Sequence, residues 1–215
     1  MADYRLHCFA QSGNAYKVAL MLSAAGLDWE PVLVPFFGGA TRDPSWRSDV
    51  NPMGEVPVLE HGDKRLTQSG VILTYLSRRT GLFGPADEDQ ELEILRWILF
   101  DNHKFTSYFA THRFMLSLSG KPADPAVLGF FRGRVDGALA IVERHLAGRE
   151  FMVGSAPTIA DLSLAGYMFY PLEETGYDLT ASHPNIHAWR ERIAALPGWK
   201  PPYAMMPSEI GRAHV

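Results

Sequence analysis

The chain has 215 residues, of which 47% are apolar and 20% charged, with a net charge of −4. This is the make-up of an ordinary folded globule with room for one large domain or two small ones, and its acidic balance gives no reason to expect nucleic acid or an anionic membrane as a partner. A single cysteine, Cys8, excludes an internal disulfide framework and fits a reducing compartment.

The opening residues, MADYRLHCFA, carry neither a basic region nor an apolar run of signal-peptide length, and no stretch is long and apolar enough to cross a bilayer. A cytoplasmic location is therefore expected.

In chain order, Tyr4–Phe9 reads as a strand, Ala10–Asn14 as a loop, Ala15–Ala25 as a helix closed by Gly26, and Trp29–Val34 as a second strand. Strand, helix and strand in so short a span make a βαβ unit, which implies parallel pairing. Phe36–Val50 is rich in turn residues, with one short helix expected near Pro44–Arg47. Two further strands, Val56–Glu60 and Arg65–Thr67, flank His61-Gly62-Asp63-Lys64 as a hairpin, and a helix follows over Gly70–Arg79. Pro57 sits at the entrance of the first hairpin strand, where its missing N–H is tolerated and an X–Pro bond is free to be cis. Val56 then offers a free N–H and C=O to a passing peptide.

Gly81–Asp89 reads as a linker, and the remainder lacks strand alternation. A long helix is expected over Gln90–Leu118, opened by an acidic turn and broken by Pro122 and Pro125. Helices over Ala126–Ala147, Thr158–Tyr170 and His183–Leu196 follow, and then an irregular tail, Pro197–Met206. The expected organisation is an α/β domain at 1–80, a linker at 81–89 and an all-helical domain at 90–215.

Several residues have a chemical and a structural reading side by side. Ser12, ahead of the first helix, either caps it or donates to an anion at its N-terminus. Gln68-Ser69 precedes another helix, and Ser69 either caps that helix or holds a carboxylate there. Thr158-Ile159-Ala160-Asp161 fits a capping box in its Thr-x-x-Asp form. Cys8 has no second cysteine and reads as a buried, inert thiol. The eight histidines show no metal-binding spacing, so no metal is expected. No GxSxG, P-loop or GxGxxG occurs, which argues against hydrolase, nucleotide-hydrolase and dinucleotide-dehydrogenase readings.

Together these motifs resemble a known family along essentially the whole chain. They are Ser12-Gly13-Asn14, Asn51-Pro52-x-Gly-x-Val-Pro-Val-Leu, Gln68-Ser69-x-x-Ile72-x-x-Tyr75-Leu76 and Gly154-x-x-x-Thr158-x-Ala160-Asp161. The chain is similar to the cytosolic glutathione S-transferases of bacterial, serine-type character. The resemblance implies a thioredoxin-like N-terminal domain, an all-α C-terminal domain and glutathione as co-substrate.

It further implies that Ser12, with Asn14, activates the glutathione sulfur. Val56 and the cis Pro57 would hold the cysteinyl part, and Gln68 and Ser69 the γ-glutamyl carboxylate. Many relatives place a lysine where this chain has Glu55, so either Arg42 or Lys104 is expected to meet the glycyl carboxylate instead, or Glu55 points to solvent. Asp101 would approach the glutathione amine of a partner subunit in a homodimer. Phe105, Tyr108, Phe109 and His112 would form an aromatic wall for a hydrophobic electrophile. Two alternatives share the same parts: a glutathione-dependent peroxidase or disulfide reductase, and a non-catalytic glutathione- or protein-binding module.

Overall fold

A computed structural model of the chain describes residues 2–208. These fall into two compact units, one comprising residues up to Leu82 together with those from Leu196 onward, the other Phe83–Ala195.

The first unit is built on a four-stranded sheet of order β2-β1-β3-β4, with β1 at Tyr4–Cys8, β2 at Trp29–Leu33, β3 at Val58–His61 and β4 at Lys64–Thr67. β1 runs parallel to β2, across helix α1 (Gly13–Ala24), and antiparallel to β3. Tyr4, Leu6 and Cys8 alternate into the core, while Arg5 stays exposed and bridges Glu30 and Glu60 on the neighbouring strands. A short helix, α2 (Pro44–Asp49), precedes the hairpin, and α3 (Ser69–Thr80) packs against α1. Val58, Leu59, Ile72, Leu73 and Leu76 join Leu20, Met21 and Leu22 of α1 in a fully buried core. This order is the thioredoxin-like arrangement.

The first unit departs from expectation in three places that bear on the site or its surroundings. β3 begins at Val58 rather than Val56, because Pro57 has no N–H to give the ladder. α3 begins at Ser69, with Gln68 as its N-cap at φ 66°, so Ser69 is the first helical residue and does not cap. The tail, expected with the helical domain and irregular, belongs to the first unit and contains a short helix at Pro202–Met205. It is held there by Tyr16 Oη donating to Lys200 O at 2.9 Å and Ala10 N–H donating to Pro207 O at 2.8 Å.

The second unit is helical. α4 (Glu88–Phe100), capped by Asp87, runs on through a π turn at Asp101–Phe105 into α5 (Thr106–Arg113) and a second π turn at Phe114–Leu118. α6 (Pro125–Leu146) follows, capped by Asp124. α7 (Ile159–Leu164) is shorter than the expected Thr158–Tyr170 and passes into a single 3-10 turn at Ala165–Tyr167. α8 (Leu172–Thr175), α9 (Leu179–Ser182) and α10 (Pro184–Ala194) complete the unit.

The capping box at Thr158 and Asp161 is present. The fully buried Asp161 carboxylate accepts from the N–H groups of Thr158 and Met152 and from Trp189 Nε1, each at 2.8 Å. Burial raises its pKa, and these donors pull in the opposite direction. Among the described residues no helix is long and apolar enough to cross a membrane.

Candidate functional site

The topology of the first unit brings three segments to one end of the sheet. His7, near the C-terminal end of β1, pairs with Val58 at the start of β3, and Val58 pairs with Thr67 at the end of β4. The Ser12 loop after β1, the Val56-Pro57 segment before β3 and Gln68-Ser69 after β4 therefore leave the sheet side by side. Neighbouring strands are about 4.8 Å apart, so the three segments form a row about 10 Å across. Helices α1 and α3 both start at this end, and each presents the N–H groups of a first turn, a setting that favours anions.

Ser12 is only 7% exposed and caps α1, its Oγ accepting from Ala15 N–H at 3.2 Å. That bond uses one lone pair; the hydroxyl hydrogen has no acceptor among the described residues. The cap and the donor readings are thus compatible in a single side chain. Asn14, in the first turn of α1, has a buried Oδ1 without a hydrogen-bond partner. Cys8 is fully buried, and burial pushes its thiol up to about 12. It cannot serve as a thiolate near neutral pH.

Val56 precedes Pro57 through a cis peptide bond, and its backbone N–H and C=O have no partner among the described residues. The loop that presents it is tied down from within. The buried Asn51 donates from Nδ2 to Glu55 O at 2.9 Å and accepts from Met53 N–H at 3.0 Å. Gly54 has a φ of 68°, and a Cβ there would lie 2.8 Å from both Arg47 Nη2 and Thr41 O. Only glycine fits that turn.

At the third segment, Ser69 is 4% exposed and its hydroxyl has no partner among the described residues. Gln68 is exposed, and its Nε2 donates to Glu55 Oε2 at 3.0 Å and contacts Met53 Sδ at 3.1 Å. Arg42, in a 3-10 turn at Ala40–Arg42, is exposed and has no ion-pair partner among the described residues. Arg47 is a cation that sequence reasoning missed. It lies on α2 with its guanidinium against Gly54, and it too lacks an acidic partner among the described residues. Its link to the loop comes from the fold of residues 41–54 and leaves no motif in the sequence.

The residues expected from the helical unit fare differently. Asp101 is fully buried and accepts from Thr106 Oγ1 and Ser163 Oγ, each at 2.6 Å, so it is a structural acid and not a group that reaches a partner's ligand. Phe105 and Phe109 are 1% exposed and His112 is 3% exposed. Phe109 packs on Tyr167 and Tyr177, and His112 on Tyr177, so these three are core residues and not a substrate wall. Tyr108 is half-buried beside Phe131, and Lys104 is exposed. Arg113 is buried against Glu174 and stacks 3.6 Å from the Tyr170 ring centroid. No group of His, Cys, Asp or Glu able to hold a metal occurs among the described residues.

Comparison with known proteins agrees with this architecture. The family model of the glutathione S-transferase N-terminal domain matches residues 3–78, and that of the glutathione S-transferase C-terminal domain matches residues 126–197. Glutathione S-transferase 3 of Zea mays is 29% identical over 96% of each chain. The crystal structure of a glutathione S-transferase from Xanthobacter autotrophicus is 33% identical, with a TM-score of 0.84 over 93% of this chain and 97% of that one. One from Pseudomonas fluorescens is 30% identical, with a TM-score of 0.85 over 94% and 100%.

Proposed function

This chain belongs to the glutathione S-transferase family and is a glutathione transferase, and we propose that it activates the glutathione thiol in the serine-type manner, through Ser12, for attack on a hydrophobic electrophile in the cytoplasm. The observation that carries this reading is the Ser12 hydroxyl: buried, held at the start of α1 by its own cap bond, and with its hydrogen free among the described residues.

The roles follow from the row at the end of the sheet. Val56 pairs through its backbone with the cysteinyl part of glutathione, which sets the sulfur toward Ser12. The Ser69 hydroxyl and the first N–H groups of α3 take the γ-glutamyl carboxylate. Arg42 and Arg47 supply the positive charge for the glycyl carboxylate. Asn14 shares the sulfur with Ser12.

The energetics are adequate. A free thiol has a pKa of about 8.5, and lowering it by about two units takes about 2.7 kcal/mol of preferential stabilisation of the anion. One hydroxyl hydrogen bond to a charged acceptor supplies about 1.5–3 kcal/mol, and the start of α1 adds about 0.3–1 kcal/mol. The thiol proton passes to solvent, the sulfur lone pair forms the new S–C bond, and the leaving group departs with its electron pair.

The assembly is a homodimer. Leu92, Leu95 and Leu99 are exposed by 61%, 49% and 61% at helical spacing along α4 and supply an apolar stripe for such a contact. Light scattering should return twice 23.9 kDa, and a monomeric mass would remove the dimer. The function is tested by retention on immobilised glutathione followed by conjugation of a generic aromatic electrophile. Retention with turnover is expected. Retention without turnover on electrophile or peroxide would make the chain a binder, and no retention would overturn the glutathione reading.

A further inference from the structure

Glu55 is the one residue of the candidate site whose charge opposes a dianionic peptide if it faces the glycyl carboxylate. Its geometry points elsewhere. The Glu55 carboxylate is drawn to Gln68, whose Nε2 donates to Oε2 at 3.0 Å. Gln68 immediately precedes α3, where Ser69 is 4% exposed with an unpartnered hydroxyl. Behind it, Asn51 Nδ2 holds Glu55 O at 2.9 Å, so the backbone of Glu55 does not swing freely. The side chain is exposed and has no cation among the described residues. A carboxylate offers about four lone-pair sites, and Gln68 occupies one of them.

We propose that Glu55 is the acceptor for the α-ammonium of the γ-glutamyl residue of glutathione, oriented for that task by Gln68. The inference rests on the proposed glutathione site. The γ-glutamyl carboxylate and ammonium sit on the same carbon, so a carboxylate seated at Ser69 and the start of α3 brings its ammonium to whatever flanks that helix. Gln68 and Glu55 are the flanking pair. The ammonium gains a charge-assisted hydrogen bond, the strong kind. Asp101, the acid expected for this ammonium, is sealed in the core of the helical unit by Thr106 and Ser163, which leaves the task to a residue of the first unit. Glu55 thereby becomes a specificity residue. It selects thiols with a free N-terminal amine beside the carboxylate, and it keeps its charge away from the glycyl end, where Arg42 and Arg47 act.

Isothermal titration of the whole protein tests this with three thiols: glutathione, its glutaryl-cysteinyl-glycine analogue lacking the amine, and its glycyl monoethyl ester. The wild type should bind glutathione about tenfold more tightly than the glutaryl analogue, and Glu55→Gln should erase that difference by weakening glutathione and the ester about tenfold while leaving the analogue within about twofold. The substitution is nearly isosteric at an exposed position, and circular dichroism should return the wild-type spectrum. Equal losses for all three thiols would overturn the assignment, as would tighter binding of glutathione by Glu55→Gln with the ester unaffected, the signature of a carboxylate facing the glycyl end. Wild type that binds glutathione without distinguishing the amine overturns this inference alone. Wild type that binds none of the thiols overturns the glutathione reading and this inference with it.

Discussion

Replacing Ser12 removes a helix cap and a thiolate donor together, and the two losses have different magnitudes and readouts. The cap is the Oγ bond to Ala15 N–H at 3.2 Å. Its loss to alanine costs about 1 kcal/mol of stability, whereas glycine in the same position costs only a few tenths. In a chain of this length, about 1 kcal/mol lowers Tm by about 2–4 °C. The donor is worth more: a hydrogen bond to a charged acceptor of about 1.5–3 kcal/mol corresponds to a rise of about 1–2 units in the pKa of the bound thiol. From a bound-thiol pKa of about 6.5, the thiolate population and kcat at about pH 7 then fall about 3–25-fold, and activity returns as pH rises toward the new pKa. Glutathione affinity changes little, because Val56 and Ser69 hold the rest of the peptide. Ser12→Gly separates the effects, since it should melt close to the wild type yet lose as much activity as Ser12→Ala. The assay is the pH profile of kcat for both variants, alongside the ultraviolet absorbance of bound thiolate. An unchanged profile in both variants would refute the reasoning and move the role to Asn14. Full activity in Ser12→Gly with loss in Ser12→Ala would show that the cap alone mattered.

Cys8 should resist iodoacetamide at pH 8.5 in the folded protein and react once unfolded; native labelling at the rate of a free thiol would contradict its burial. Because its folded pKa is raised to about 12, the folded state keeps a proton that the unfolded state loses, so this thiol makes stability fall by up to about 1.4 kcal/mol per pH unit above the ordinary thiol range and up to about pH 12. Denaturant titration of Cys8→Ala should show that slope removed. Gly54→Ala forces a Cβ to within 2.8 Å of Thr41 O at a φ of 68° and should cost about 1–3 kcal/mol in urea unfolding, together with weaker glutathione binding as the Val56 loop shifts. Arg47→Ala should weaken glutathione about tenfold by calorimetry but leave the glycyl monoethyl ester nearly unaffected, and equal losses for both would remove Arg47 from the glycyl end.

The sheet and its flanking helices were legible because local signals agreed with the fold. Alternation in Tyr4–Cys8, the His61–Lys64 turn and the Thr158–Asp161 capping box each encode one structure over a few residues. The row of Ser12, Val56 and Ser69 was legible for the same reason, since each sits where a strand end meets a loop or a helix start. Of the two readings of Ser69, the cap fails because Gln68 takes the N-cap position at φ 66°, a positive-φ conformation that carries no mark in the sequence. Phe105, Phe109 and His112 do share one helical face, and with Ile94, Ile98 and Asp101 that face is buried; spacing groups residues on a face but does not tell a core face from one that lines a cleft. The tail was assigned to its sequence neighbours, but the bonds that hold it, from Tyr16 and Ala10, join residues nearly two hundred positions apart.

The central claim is that the glutathione sulfur lies against Ser12 while the rest of the peptide is held by Val56 and Ser69. A crystal structure of the protein with glutathione tests it most directly. The account predicts the sulfur within hydrogen-bond distance of Ser12 Oγ, the cysteinyl backbone paired with Val56 N–H and C=O, and the γ-glutamyl carboxylate on Ser69 at the start of α3. A sulfur remote from Ser12, or a γ-glutamyl group seated away from α3, would contradict it.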